Sequence, residues 1–412
     1  MNIISFTDLE KYKLIKKKEN NRDIRLYKLP NCYLTGLTSY YPDVLLKSNT
    51  NKKFILPIKE MSMSLKKKSY YEENGLHFEQ KGSILQFYKD FDVFYFIYNI
   101  ENYYHSIYDT LPYLFCYLQL KKINPEIKLL MNPKTKLLPF VIQSLHLLGI
   151  DDILIHENQI LYKNIYISSS LTHNGLSNEK PRKEIFQIYD LMVKNALKFT
   201  NASKNTNVTK ASKVKKIYIS RRTWINKKTD NIGTNYTTRR KLMNEDNLVK
   251  LLEKREYHEI FGENYSMVEK ICLFNKVDEV IGAIGGTISN CVFCNKDCKI
   301  ICLVSPDFLN INHRMTYLFN KNVILFEDTK LNCKKGTVSK NVRIEIIESQ
   351  KLGEIVEYKD GLYLIKLANN FIGWNQDESY KQILLKRNQF KTLDNGINSP
   401  WLVDIDKIKN LI

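Results

Sequence analysis

The hydrophobic residues of this chain alternate between short uninterrupted runs and longer stretches in which they recur every three or four positions. The first pattern marks buried strands, and the second marks helices with one apolar face. The first half opens with strand-like pieces at Arg25–Leu29, Cys32–Leu34 and Phe54–Pro57, then a longer β-rich stretch at Ile84–Tyr98. A helix is predicted over Asn102–Leu120, where Ile107, Leu111, Leu114, Phe115 and Leu118 fall at helical spacing. Next come a strand at Lys128–Met131, a helix at Lys136–Leu148, strands at Ile153–Ile155 and Ile165–Ser168, and a helix at Glu184–Phe199. Strands that alternate with helices imply a parallel sheet, because each parallel pairing needs a crossover.

From Thr200 to Lys216 the chain is polar and without periodicity, the pattern of a linker. The second half repeats the α/β alternation more cleanly. Strands are predicted at Lys216–Ser220, Tyr257–Phe261, Glu279–Ala283, Lys299–Val304 and Val323–Phe326, with Met315–Phe319 continuing the pattern. Helices are predicted at Asn244–Lys254, Ser266–Lys276 and, more briefly, Thr287–Cys294. Ser266 followed three residues later by Glu269 is a capping box. The part from Val342 to Ile412 mixes strands with one predicted helix at Glu378–Arg387. The expected fold class is α/β with parallel sheets. The expected domains are 1–205, 212–330 and a C-terminal segment, 331–412.

Composition changes this picture little. A chain of 412 residues exceeds what one core usually supports, which agrees with two domains. Lys and Arg number 63 against 44 Asp and Glu, a net charge of +19 that favours anionic partners. The basic residues are dispersed, which argues against a nucleic-acid arm and equally suits solvated faces. A peripheral membrane contact through this basic surface stays open. The N-terminus carries Asp8, Glu10, Lys11 and Lys13 without an apolar core, and the longest apolar run, Val93–Tyr98, is strand-sized. A cytoplasmic location without signal peptide or transmembrane segment is expected. Cys291, Cys294, Cys298 and Cys302 are spaced closely enough to suggest a metal. Their places in a helix and beside a strand suit buried small hydrophobes better. No metal is expected.

Three constellations carry candidate chemistry. The strand–turn–helix unit at Ile284-Gly285-Gly286-Thr287 lets backbone approach a ligand and offers N–H groups to a diphosphate, with hydroxyls from Thr287 and Ser289. It is neither a dinucleotide fingerprint nor a P-loop, and alone it reads as a plain β–α turn. Ser220-Arg221-Arg222 follows a strand, where ligands of parallel sheets bind, and Arg239-Arg240 precedes the helix at Asn244. His105 and Asp109 stand four residues apart, on one helix face, as a base and its carboxylate partner. Alone that pair reads as a histidine satisfied by its neighbour.

Together these segments resemble glycosyltransferase family 61. The resemblance rests on three motifs in order. The first is Asn-x-x-His-x-x-x-Asp-x-Leu-Pro, here Asn102, His105, Asp109, Leu111 and Pro112. The second is a Tyr-x-Ser-Arg strand end, here Tyr218, Ser220 and Arg221, then Arg240, Asn244 and Glu245. The third is the run Met267–Asn290, a helix, a strand and a Gly-rich turn. The resemblance spans about Arg25 to Ser305. Members often carry His-Gly-Ala-Gly at the turn, and here Ile284 stands where that His would be.

The resemblance implies a GT-B fold of two facing Rossmann-like domains, inversion at the anomeric carbon and no required metal or cofactor. Residues 1–205 would be the acceptor side and 212–330 the donor side. By analogy with that fold, the C-terminal segment would pack back on the first domain. The expected substrates are a nucleotide-diphosphate sugar, taken as UDP-linked, and a hydroxyl of a glycan or glycoprotein acceptor. His105 is expected as base and Asp109 as its orienting group, with the reversed assignment as the alternative. Ser220, Arg221, Arg240, Asn244, Glu245, Gly285, Gly286, Thr287, Ser289 and Asn290 are expected at the donor site. Two readings compete. A metal-dependent transferase would use D-x-D, which Asp90-Phe91-Asp92 matches in letters, but the apolar run follows it where it should precede it. A non-enzymatic nucleic-acid-binding protein would rest on charge and aromatics alone, with no recognition motif.

Overall fold

The computed structural model describes residues 2–5, 24–34, 45–47, 87–96, 102–131, 138–155, 160–168, 171–172, 181, 183–203, 214–222, 242–306, 322–331, 338, 342–349, 352–367, 382–392 and 400–412. Phe54–Pro57, Met315–Phe319, Arg239 and Arg240 lie outside the described residues. The chain divides into two compact units, Met1–Asn195 and Ala196–Ile412.

In the first unit, strands β1 (Asn2–Ser5), β2 (Arg25–Leu34), β3 (Leu45–Lys47), β4 (Phe87–Phe96), β5 (Lys128–Met131), β6 (Ile153–Ile155) and β7 (Ile160–Ser168) form one sheet. Its order is β1-β2-β7-β4-β5-β6, with β3 on β2. β7, β4, β5 and β6 run parallel, while β2 is antiparallel to β7. β2 is one strand where two were predicted, and Pro30 sits within it opposite Asn164. β7 starts five residues earlier than expected. Its polar Asn164 hid the strand, and the structure spends that amide on Asp92 at 2.6 Å. Helices α1 (Leu114–Ile123), α2 (Pro139–Leu147) and α3 (Phe186–Ser203) follow the predicted positions. The core holds Phe94, Phe96, Leu129, Leu130, Ile165 and Ile167, all buried.

The second unit contains a five-stranded parallel sheet of β8 (Lys216–Ile219), β9 (His258–Ile260), β10 (Glu279–Ala283), β11 (Lys299–Leu303) and β12 (Val323–Phe326). Its order is β12-β11-β10-β8-β9. Helices α4 (Glu245–Glu253) and α5 (Met267–Lys276) provide the first crossovers, and α5 carries the predicted capping box of Ser266 and Glu269. β13 (Thr329–Leu331) follows β12. Strands β14 (Arg343–Ile346), β15 (Leu352–Lys359), β16 (Leu362–Leu367), β17 (Gln382–Leu385) and β18 (Phe390–Thr392) then form an antiparallel sheet with its own core of Val342, Ile344, Ile355, Ile365 and Phe390. β17 replaces part of the helix predicted at Glu378–Arg387. Ile383 pairs with Ile365 across the sheet, and a short apolar run does not by itself separate strand from helix.

The last residues are built into the second unit. β19 (Trp401–Val403) pairs with β13, and α6 (Ile405–Lys409) follows. Trp401, Val403 and Ile408 are buried with Tyr218, Leu248, Ile281 and Ile301. Among the described residues no helix is long and apolar enough to cross a membrane.

Each parallel sheet has a point where the chain reverses its direction of progress across the strands. From β4 the chain steps outward to β5 and β6, then returns to the other side of β4 as β7. From β8 it steps to β9, then crosses to the other side of β8 as β10. At such points the loops leave in opposite directions and open a crevice beyond the carboxyl ends of the strands.

Two stability predictions follow from packing in the second unit. A Cβ on Gly282 would lie 2.9 Å from Ile219 Cβ, so β8 and β10 leave no room there. Gly282→Ala should lower unfolding stability by about 1–3 kcal/mol in urea denaturation. Lys270 on α5 is buried, and desolvation pushes its ammonium down to about 7, against the pull of Glu263 and Glu269. Above that pH the folded state has released a proton that the unfolded chain still holds. Stability should therefore rise with pH between roughly 7 and 9, and urea midpoints of Lys270→Met should lose that slope.

Candidate functional sites

The first site begins where the chain re-enters the described structure after β4. Asn102 has extended backbone, and its side-chain oxygen accepts the His105 N–H at 3.2 Å, so it caps a short helical turn, Tyr103–His105. The next five residues, Ser106–Thr110, form a π-turn, and Leu111–Tyr113 a 3₁₀ turn, before α1 begins. The sequence pattern suggested an unbroken α-helix here, because a single widened turn leaves the apolar spacing almost unchanged. Tyr189 of α3 donates its hydroxyl to the Ile107 carbonyl at 3.0 Å and so satisfies a group in the widened turn.

Asp109 is fully buried, and its Oδ2 lies 2.5 Å from His105 Nδ1. Thr172, just beyond β7, presents its hydroxyl to Asp109 Oδ1 at 3.5 Å, a long contact. Thr172 was not read from the sequence, where a lone Thr after a strand carries no signal. Tyr104 packs its ring against His105 and stacks on Tyr108. The carboxylate fixes the imidazole tautomer with its proton on Nδ1, which makes Nε2 the basic nitrogen. The His105 side chain is 19% exposed, so the imidazole reaches the surface while its carboxylate partner does not. His105, Asp109 and Thr172 thus come together at the carboxyl ends of β4 and β7, the reversal point of the first sheet.

The second site lies at the carboxyl ends of β8 and β10, the reversal point of the second sheet. Glu245, the first residue of α4, is buried, and its Oε1 accepts three hydrogen bonds. They come from the Tyr218 hydroxyl at 2.8 Å, the Ser220 hydroxyl at 3.3 Å and the Arg221 N–H at 2.6 Å. Burial pushes this carboxyl up, while the bonds from Arg221 and Tyr218 pull it down. Glu245 therefore holds the loop after β8 from beneath. The Arg221 side chain crosses to the next loop, where its Nη1 donates to the Ile284 carbonyl at 3.3 Å. A Cβ on Gly285 would sit 2.9 Å from that same nitrogen, so glycine makes the crossing feasible. Arg222 is committed elsewhere, to Glu259 by two bonds and to Asp246 by one.

Gly286 has ordinary right-handed helical backbone. The short helix that follows, Thr287–Phe293, is 3₁₀, not α. Ser289 donates its hydroxyl to the Gly286 carbonyl at 2.6 Å and Asn290 its amide to the Thr287 carbonyl at 2.7 Å. Both side chains are buried and lock the turn from inside. Gly262, after β9, completes the arrangement: a Cβ there would lie 2.2 Å from Thr287 Oγ1. Nothing in the sequence marked Gly262, because the contact joins two loops that only the sheet order brings together. Asn244 brackets Val403, donating to its carbonyl at 2.7 Å and accepting its N–H at 3.1 Å. Arg240 lies outside the described residues.

The competing metal motifs are otherwise occupied. Asp92 accepts bonds from Asn124 and Asn164, and Asp90 pairs with Lys163 at 3.2 Å. Of the four clustered cysteines, Cys291, Cys298 and Cys302 are buried, and burial pushes the Cys302 thiol up to about 12. Among the described residues no group of three or more His, Cys, Asp or Glu is disposed to hold a metal ion.

Residues 103–301 match the family model of Glycosyltransferase 61. The match covers just under half of the chain and supports its assignment to this family. The match supports a glycosyltransferase activity, which in general implies a sugar donor and an acceptor, and it lends the nucleic-acid-binding reading no support. No curated protein matches the chain. The matched residues take in His105 and Asp109 as well as Arg221, Glu245 and the Gly285-Gly286 turn, and they end within β11. The antiparallel sheet and the C-terminal strand lie beyond them.

Proposed function

We propose that this glycosyltransferase moves a sugar from a nucleotide-diphosphate donor, taken as UDP-linked, to a hydroxyl of a glycan or glycoprotein acceptor with inversion, without a metal and in the cytoplasm. The GT-B reading of the fold belongs to this proposal. The observation that carries it is Arg221 lying over Gly285 at the reversal point of a five-stranded parallel sheet. Ligands of such sheets bind there. A guanidinium beside the backbone of a half-buried loop suits a diphosphate, whose oxygens accept bidentate contacts.

In this reading His105 takes the proton from the acceptor hydroxyl through Nε2. The hydroxyl oxygen forms a bond to the anomeric carbon as the bond from that carbon to the diphosphate oxygen breaks. The developing charge of the leaving diphosphate falls to Arg221 and the N–H groups of the turn at Gly286 and Thr287. Asp109 balances the imidazolium that forms on His105. Ser220, Glu245, Ser289 and Asn290 act by holding the loops, since their polar groups bond within the protein.

Two substitutions separate the roles. Arg221→Ala should weaken nucleotide-sugar binding by roughly 1.5–3 kcal/mol in calorimetric titration, the scale of a hydrogen bond to a charged group. Unchanged affinity would place the donor elsewhere. His105→Ala should lower kcat by a factor of about 10²–10⁴ while donor affinity stays near wild type. Full turnover in both His105→Ala and Asp109→Asn would make that pair structural.

A further inference from the structure

We propose that the end of the chain, Trp401–Ile412, positions the donor arginine, acting through Asn244 and Glu245. The inference rests on the donor reading of Arg221 and extends it to residues beyond the family-matched core.

The connection is a series of hydrogen bonds joined by the peptide link between Asn244 and Glu245. Leu242 bridges Trp401 in parallel register, and the Met243 N–H donates to the Trp401 carbonyl at 2.8 Å. Asn244 then bonds both backbone groups of Val403, so its amide acts as one more rung of that ladder. Asn244 occupies the N-cap position of α4 yet makes no side-chain bond to its own helix. Asparagine at such a position ordinarily caps the helix. Here that capacity is given to a residue far away in sequence. The next residue is Glu245, whose Oε1 receives the Arg221 N–H. The loop after β8 is therefore placed by α4, and the start of α4 is placed by β19.

The segment is itself well anchored. The Asp404 N–H donates to the Asp328 carbonyl at 2.9 Å, β19 pairs with β13, and Ile408 is buried in the core of the unit. Lys299 of β11 bonds the carbonyl of Leu411. Asn244 is a positioning residue in this scheme: it touches Val403, and Arg221 feels it through Glu245.

The test uses the full-length protein and two readouts, hydrogen exchange of the Arg221 amide and titration with UDP and GDP. In Asn244→Ala, exchange at Arg221 should rise about tenfold, the equivalent of one lost hydrogen bond. Amides in β10 and β11 should keep wild-type rates, which a general loosening would not allow. Diphosphate affinity should fall by a similar factor. Asn244→Asp retains the bond from the Val403 N–H and should show a smaller effect in both. Unchanged exchange at Arg221 in Asn244→Ala overturns the connection. Faster exchange with wild-type diphosphate affinity overturns the positioning role. Wild-type affinity in Arg221→Ala, or no binding of either diphosphate by the unsubstituted protein, overturns the donor reading on which the inference rests.

Discussion

One oxygen of one buried carboxylate organises the second unit's candidate site. Glu245 Oε1 collects the hydroxyls of Tyr218 and Ser220 and the N–H of Arg221, three groups from the end of β8 and the loop that follows it. A carboxylate buried without such partners would be costly, so the loop and the helix start must find each other for the unit to fold. Once they do, the backbone of Arg221 is fixed, and its side chain reaches the Ile284 carbonyl in the neighbouring turn. Arg222, beside Arg221, is held instead by Glu259 and Asp246.

The first unit reaches a similar end by different means. Its carboxylate, Asp109, is buried too, but it comes from within the same helical run as its partner. The π-turn widens the run between them, and Tyr189 satisfies a carbonyl inside it. In both units a buried acid holds a more exposed basic residue, at the carboxyl edge of the sheet. The difference lies in what is fixed: in one case a tautomer, in the other a backbone position.

Much of the parallel architecture was legible in the chain. The strands at Lys128–Met131, Ile153–Ile155, Glu279–Ala283 and Val323–Phe326 fall where the apolar runs placed them, because each is short, apolar and bounded by polar residues. Strands with a polar residue inside, such as β7 with Asn164, were read short. β17 was read as a helix, since its cross-strand partner Ile365 lies outside any local window. Of the candidate site, the residue types were legible and their division of labour was not. Asn244, Ser289 and Asn290 look alike in sequence as polar residues beside a glycine-rich turn or a helix start. Only the fold reveals that all three spend their hydrogen bonds on the protein's own backbone. Gly262 and Thr172 had no local signature at all, because each matters through a loop contributed by another strand.

The antiparallel sheet of β14–β18 sits in the chain between β13 and β19, and those two strands are partners. Leu331, where β13 ends, stands directly opposite Trp401, where β19 begins. The whole excursion therefore departs and returns within one strand spacing, about 5 Å. Topologically it is an overgrown hairpin loop. Because the cost of closing a loop grows only with the logarithm of its length, such a junction accepts a large insertion almost as readily as a tight turn. A chain built this way can exchange or lose its accessory sheet without redrawing the unit that carries it. The accessory sheet can then diverge under its own constraints, while β13 and β19 continue to close the parallel unit beneath it.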